Sequence, residues 1–407
     1  MYIFKAAVVG AGTMGGEIAQ VISYSGLPVI LKDIDQEMLD RGMAKARSIY
    51  QRRVDKGKMS PGEMESKMDL ITPTLTYDGF EDVDIVIEAV PEKMEIKKKV
   101  FQELDEVCPE QTIFASNTSA LSISEMAAAT KRPHKVIGMH FFNPASVMKL
   151  VEVIPGLDTS QETVDDVVMF AESLRKIPVV VQECPGFLVN RLLMPYLNEA
   201  TKALEEGAAT ATEIDQAIVG WGMPMGPFTL MDMLGIDICA HVGEYLYSEY
   251  GERMSPAKLF AKLLEAGRLG EKVGKGFYDH PGGESEEVLQ MIKDLQESGE
   301  VPTGTPFTVE RLMFPLINEA ALCVQENIAS INDIDMAMIA GTGMTYQGER
   351  MGPLAIADRI GLDVVVETLE KLAEELGPRF RPSRPLKLRV RAGHLGVKTG
   401  KGFHEYA

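Results

Sequence analysis

The chain has 407 residues, 45% hydrophobic and 25% charged, the composition of a globular protein long enough for two or three domains. Its 41 Lys and Arg against 60 Asp and Glu leave a net charge of −19, which argues against a nucleic-acid surface, since that needs a basic stripe. No apolar run approaches the ~20 residues of a membrane span, and Cys108, Cys184, Cys239 and Cys323 are scattered without a CxxC pair. With a strand-like run almost at the start and no signal peptide, a cytoplasmic protein is expected, with no metal, membrane or nucleic-acid partner.

The stretch "AAVVGAGTMGGEIAQVISYSGLPVILKDID" opens on a small-apolar run, Ala6–Val9, that reads as a buried parallel strand. Gly10, Gly12 and Gly15 then form a G-x-G-x-x-G, and a helix runs from Met14 to about Ser25. Gly26-Leu27-Pro28 breaks it, and a second strand, Val29–Leu31, leads into Asp33. Gly10 permits the tight strand-to-helix turn, Gly12 lets the backbone approach a pyrophosphate, and Gly15 brings helix and strand close. The helix start, with Thr13 and Met14, offers free N–H groups to phosphate. An acid at Asp33 can hydrogen-bond a ribose hydroxyl pair and repels a 2′-phosphate, so NAD is expected over NADP, a preference that Lys32 softens.

A polar helix follows over Gln36 to about Lys58, then a capped helix start at Ser60-Pro61-Gly62-Glu63, so this region reads as a helical excursion. Strand Asp84–Ala89 comes next, then Pro91-Glu92 and a helix whose Lys97, Lys98 and Lys99 read as a solvated face, though one near the strand end could touch the cofactor. Strand Thr112–Ser116 precedes "SNTSALSISE", where Ser122 and Glu125 read as a capping box and Asn117–Ser119 lie in a loop. Strand Val136–His140 closes the series, and Glu152 follows in a second apolar run. Taken alone, His140 reads first as a satisfied structural residue, Asn117 as a turn former and Ser119 as a helix-approach residue. Ligands of open parallel sheets bind at the carboxyl ends of the strands. Gly10–Gly12, Asp33, Glu92, Asn117–Ser119 and His140 all fall at such ends, and that shared placement makes them site candidates.

From about Cys184 the spacing turns helical, and it recurs. Arg191-Leu192, Pro195 and Asn198-Glu199-Ala200 match Arg311-Leu312, Pro315 and Asn318-Glu319-Ala320, an offset of 120. Gly226-Pro227, Asp232, Gly235 and Asp237 match Gly352-Pro353, Asp358, Gly361 and Asp363 at 126, about six residues being inserted near "GTGMTYQGER". "LGEKVGKGF" at 269–277 matches "LGVKTGKGF" at 395–403. The pattern reads as a tandem duplication with a linker near Gly282–Thr305. The "GKGF" endings fail the spacing of a phosphate-binding P-loop and read as structural terminators, although Lys272 could still reach a ligand.

Together "GAGTMGGEIA", "SNTS", "HFFNP", "KLVEV", "PGFLVNR" and "MGPF" resemble the L-3-hydroxyacyl-CoA dehydrogenases of fatty-acid β-oxidation over essentially the whole chain, and most of all the dehydrogenase portion of bacterial multifunctional β-oxidation proteins. The resemblance implies an α/β Rossmann-type doubly wound sheet (1–184) followed by two tandem all-α domains (185–282 and 303–407). It implies NAD as cofactor and a 3-hydroxyacyl-CoA substrate. His140 would be the catalytic base, Glu152 its partner, and Ser119 and Asn190 substrate contacts. Glu92, Lys97, Asn117 and Asn143 would lie along the nicotinamide–ribose side. Glu310 stands where the first copy has Asn190, so the second copy is expected to carry no site of its own. Because single-copy relatives dimerise through the helical domain, a monomer built as an internal pseudo-dimer is expected, or a weak homo-oligomer. The chemistry is consistent: oxidising a secondary alcohol needs a base for the hydroxyl proton, and imidazole suits that role near neutrality. A dehydrogenase of a free 3-hydroxyacid or sugar acid, and a non-catalytic NAD-binding protein, remain as alternatives.

Overall fold

The computed structural model describes residues 2–406. The chain divides into two compact units, Met1–Phe187 and Leu188–Ala407. The segments expected as two helical domains both fall in the second.

The first unit is built on eight strands: β1 (Ala6–Val9), β2 (Val29–Lys32), β3 (Ile71–Thr74), β4 (Ile85–Glu88), β5 (Ile113–Ser116), β6 (Val136–Phe141), β7 (Leu150–Pro155) and β8 (Ile177–Val180). They form one sheet in the order β3-β2-β1-β4-β5-β6-β7-β8. Neighbours are parallel except β6 and β7, which run antiparallel. The strands β1, β2, β4 and β5 are buried at every position, because the crossover helices cover both faces. Those helices are α1 (Thr13–Tyr24), α2 (Gln36–Asp55), α3 (Pro61–Met68), α4 (Met94–Val107), α5 (Ile123–Ala127) and α6 (Gln161–Ser173).

Three points differ from the sequence expectation. The helical excursion holds β3, a short edge strand with Pro73 inside it and exposed side chains, which carries little strand signal. The sheet does not end at β6: β7 and β8 extend it, and β7 takes up the apolar run around Glu152. Ser122 caps α5 by accepting the Glu125 N–H, but Glu125 does not return the bond, because the Lys98 ammonium holds its carboxylate. At Ser60 and Glu63 both halves of the capping box form.

The second unit contains α7 (Val189–Glu205), α8 (Ala211–Trp221), α9 (Pro227–Leu234), α10 (Ile236–Tyr250), α11 (Leu259–Glu265), α12 (Glu286–Glu297), α13 (Val309–Gln325), α14 (Ile331–Thr342), α15 (Pro353–Ile360), α16 (Leu362–Leu376) and α17 (Arg384–Arg391). The helices α7 and α13 pack on each other, and each carries an internal proline, Pro195 and Pro315. Their buried arginines cross over. Arg191 pairs with Glu319 at 2.8 Å and Glu326 at 2.7 Å, while Arg311 pairs with Glu199 at 2.8 Å and Glu206 at 2.7 Å. Local motifs also match. Asn198 bonds the Ser255 carbonyl and the Ala257 N–H, and Asn318 bonds the Arg381 carbonyl and the Ser383 N–H. Residues 345–350 form a small hairpin, β9 (Thr345–Tyr346) with β10 (Glu349–Arg350), which docks on the end of α8 through Thr345 and the Gly222 carbonyl.

Candidate active site

The dinucleotide turn is dictated by its glycines. A Cβ on Gly10 would lie 2.6 Å from the Ala89 carbonyl oxygen, and one on Gly15 would lie 1.7 Å from the Gly10 oxygen. Gly10 also sits at φ 101°, which favours glycine. Gly12 caps α1 with no side-chain bond to the first N–H groups. Thr13 is exposed and Met14 half-buried in the turn behind it. These are the features that fit a pyrophosphate. Asp33, just past β2, accepts the Ala11 N–H at 2.7 Å with one oxygen and the Ile34 N–H at 2.7 Å with the other. It therefore fixes the glycine turn as well as presenting a carboxylate at the sheet edge.

His140 and Glu152 face each other by register. In the antiparallel pair β6–β7, position 140 is directly opposite 152, which puts both side chains on one face of the sheet. The Nδ1 of His140 lies 2.8 Å from Glu152 Oε2, with His140 almost buried and Glu152 fully so. An ionised carboxylate can only accept, so Nδ1 carries the proton and Nε2 presents its lone pair. Ser119 Oγ sits 3.2 Å from that Nε2. The imidazole is further held by the rings of Phe142 and Phe187, at 4.5 and 5.9 Å between centroids. Both rings lie within "HFFNP" and "PGFLVNR", but neither was singled out there, because a phenylalanine beside an apolar run reads as core.

The loops after β4 and β5 are tied together by carboxylates. Glu92 accepts the Thr118 hydroxyl and, at 2.9 Å, the Ser119 N–H. Burial pushes the Glu92 carboxyl up, but Lys97 and these hydrogen bonds outweigh it and hold it below the usual range. Lys97 corrects the expectation of a solvated face: its side chain is 1% exposed and bridges Glu88 at 2.8 Å and Glu92 at 3.1 Å. Lys98, about a quarter exposed, and Lys99, largely exposed, do lie toward solvent. Glu88, at the end of β4, also accepts the Ser116 hydroxyl at 2.6 Å and the Val90 N–H at 2.7 Å, and sequence reading missed it. Its signal was available as an acid closing the apolar run "DIVIE". Asn117 accepts the Phe141 N–H at 2.8 Å, joining the β5 loop to β6. Asn143 is exposed two residues beyond β6.

Gly10, Gly12, Gly15, Asp33, Glu92, Lys97, Asn117, Ser119, His140 and Glu152 thus all belong to the first unit, grouped at the carboxyl ends of β1, β2, β4, β5 and β6, with Glu152 on β7. Asn190 and Lys272 belong to the second. Asn190 lies in the first turn of α7. Lys272 pairs with Asp237, and the same pair recurs as Lys398 with Asp363, so a structural role accounts for its charge. The "GKGF" glycines likewise have a packing reason. The Asp232 carboxylate bonds the N–H groups of Phe277 and Tyr278, and a Cβ on Gly276 would lie 2.0 Å from it. Asp358 does the same for Phe403 and His404.

Comparison with known proteins is in accord with this arrangement. Residues 5–184 match the model of the 3-hydroxyacyl-CoA dehydrogenase NAD binding domain, and residues 186–280 and 307–406 each match the C-terminal domain of the same family. The chain belongs to the 3-hydroxyacyl-CoA dehydrogenase family. Family membership makes NAD its cofactor. It is 39% identical over 408 residues to the fatty acid oxidation complex subunit alpha of Psychrobacter arcticus, a match that covers 98% of this chain and 56% of that protein. The chain therefore spans little more than half the length of the curated relatives it matches. Among solved structures, 3-hydroxybutyryl-CoA dehydrogenase from Escherichia coli superimposes with a TM-score of 0.86 at 32% identity, covering 96% of this chain and 99% of the other. The (S)-3-hydroxybutyryl-CoA dehydrogenase from Ralstonia eutropha is 42% identical with a TM-score of 0.66, and its match covers 68% of this chain and 99% of its own. Among the described residues, no helix is long and apolar enough to cross a membrane.

Proposed function

We propose that the chain is an NAD-dependent dehydrogenase that oxidises (S)-3-hydroxyacyl-CoA to 3-oxoacyl-CoA, reversibly, in the oxidation of acyl-CoA chains. The observation that carries this reading is the line Ser119 Oγ, His140 Nε2, His140 Nδ1, Glu152 Oε2, placed at the carboxyl edge of the sheet that carries the dinucleotide turn. Gly10, Gly12, Thr13, Met14 and Gly15 hold the pyrophosphate, and Asp33 holds the ribose. Glu92, Lys97, Asn117 and Asn143 border the nicotinamide side. Bound NAD supplies the acceptor for the hydride that leaves C3. His140 Nε2 takes the hydroxyl proton as that C–H bond breaks and returns it to the oxygen in the reverse direction. Glu152 keeps the ring in the tautomer that can do so and offsets the positive charge that the ring gains. Ser119 holds the substrate oxygen beside Nε2, and Asn190, on the resemblance, is a further substrate contact.

We also infer that the helical unit arose by duplication and that its two halves replace a two-fold dimer, so that a monomer with one site per chain suffices. The reciprocal pairs Arg191–Glu319 and Arg311–Glu199 support this, because each position i meets j + 120 while i + 120 meets j, the signature of an isologous contact. Glu310 in place of Asn190 supports a single site.

The test is a panel of C4 to C16 3-hydroxyacyl-CoA substrates with NAD and NADP, alongside His140→Gln and calorimetry with NAD. Turnover with NAD is expected, with one NAD per chain. His140→Gln should lose at least ~100-fold in kcat while NAD still binds. Near-wild-type kcat in that variant at pH 7–9 would end the mechanism, and two NAD per chain would end the single-site reading.

A further inference from the structure

Within the helical unit, α7, α10 and α11 border a cavity of about 280 Å³. Its walls include Met194, Met254, Phe260 and Leu264, and its space is left open at Ala240 and Gly243. A Cβ at Gly243 would lie 3.3 Å from the Met194 methyl, so even a small side chain there would enter the cavity. The repeat provides an internal control. At the matching positions the second half carries Phe314 for Met194, Val366 for Ala240, Leu369 for Gly243 and Phe380 for Met254. These four are bulkier, whereas Leu386 for Phe260 and Val390 for Leu264 are smaller, and Leu369 and Phe380 are fully buried. The same helical framework is thus compatible with a filled interior, yet the half that carries Asn190 stays open. The cavity is open to solvent at Glu244, Ala261 and Glu265, so a chain can enter it.

The lining defines the chemistry. Asn198 offers a ligand little, because its amide is occupied by Ser255 and Ala257. Glu244 and Glu265 are exposed lining residues and disfavour an anion. What remains is an uncharged, flexible chain, for which methionine walls are well suited. Asn190, Met194 and Asn198 stand at i, i+4 and i+8, on one face of α7. The cavity therefore begins one helical turn, roughly 6 Å, along the helix from Asn190. A four-carbon acyl group has only one carbon beyond C3, a reach of roughly 1.5 Å. A longer chain can extend to the cavity.

We propose that this cavity receives the alkyl chain of an acyl thioester and sets chain-length preference. The inference rests on the reading of Asn190 as a substrate contact. The test is calorimetric binding of butanoyl-CoA, decanoyl-CoA and free decanoate to the full chain and to Gly243→Leu, which installs the residue of the second half. Ala240→Val serves as a second variant, and a thermal melt checks that each is folded. Wild type should bind decanoyl-CoA at least tenfold more tightly than butanoyl-CoA, since each buried methylene contributes roughly fourfold. The variants should lose most of that ratio. An unchanged ratio in folded variants, or decanoate binding as tightly as decanoyl-CoA, would overturn the proposal. Absence of turnover at every chain length would instead refute the dehydrogenase reading, because the binding ratio is read without turnover.

Discussion

Replacing Glu152 with Gln isolates the charge of the pair from its shape. The two residues are held opposite each other by the β6–β7 register, and Glu152 is fully buried, so an isosteric amide should be held in the same place. A carboxylate and an imidazolium with charge centres roughly 4 Å apart attract by about 4 kcal/mol at an effective dielectric near 20. A neutral amide oxygen accepting the Nδ1 proton recovers about 1 kcal/mol. The difference, about 3 kcal/mol, is needed only when His140 carries the substrate proton, so it falls on kcat as a loss of roughly 100-fold. If the amide instead turns its NH₂ toward Nδ1, the tautomer reverses, Nε2 no longer accepts, and the loss is larger. The assay is steady-state NADH formation at saturating 3-hydroxybutanoyl-CoA, with the NAD dissociation constant measured separately and expected to be unchanged. A kcat within fivefold of wild type, in a variant with an unaltered melt, would refute the assignment of Glu152 as charge partner.

Asp33→Ala should weaken NAD and raise the relative use of NADP, and because Asp33 also holds the Ala11 N–H, calorimetry should show a loss for both cofactors' shared pyrophosphate portion. Unchanged NAD affinity would show that the acid does neither job. Burial pushes the Glu205 carboxyl up to about 7, against the stabilising Leu259 N–H. A raised carboxyl contributes stability that is fully present below ~4.5 and lost as pH rises through 7, by up to about 3 kcal/mol. Glu205→Gln should therefore remove that slope in urea unfolding between pH 5 and 8, and an equal slope in both proteins would contradict the assignment. Arg191→Met and Arg311→Met each remove one arginine from two carboxylates; Glu319 keeps Arg253 at 3.3 Å and Glu199 keeps Arg379 at 2.8 Å, so each should cost less than the roughly 3–5 kcal/mol of a fully stranded buried charge. Because Arg191 leaves the more exposed Glu326 behind, it should cost no more than Arg311, whose partners are both buried. The reverse order would contradict the accounting.

The glycine turn was legible because most of its reasons are local: Gly15 is fixed by the Gly10 carbonyl within one strand-turn-helix segment, Gly10 by its positive φ as well as by Ala89 after β4, and Asp33 follows directly on the next strand. The same holds for the strand-end placement of Asn117, Ser119 and His140, which follows from alternating strands and helices. The pairing of His140 with Glu152 depended on resemblance, since twelve residues of separation do not reveal an antiparallel register, and the loop from 142 to 149 hides the turn between the strands. Lys97 was misread for a related reason. Three lysines in a row on an amphipathic helix look equivalent, yet only position 97 faces the sheet, where Glu88 and Glu92 compensate its burial. A buried charge cannot be recognised from its own segment when both of its partners come from another.

The crossed arginines carry that argument furthest. Sequence matching aligns Arg191 with Arg311 and Glu199 with Glu319, and four charged residues at equal spacing in two amphipathic helices would ordinarily be assigned to exposed faces. In the folded unit, Arg191 reaches Glu319 and Arg311 reaches Glu199, all four buried. Neither helix satisfies its own arginine, so removing either half would leave the other with unpaired charges in an apolar setting. Such mutual dependence ties the face of α13 toward α7 to the charges of the first half, whereas position 310, which holds Glu, lies under no such constraint from these pairs.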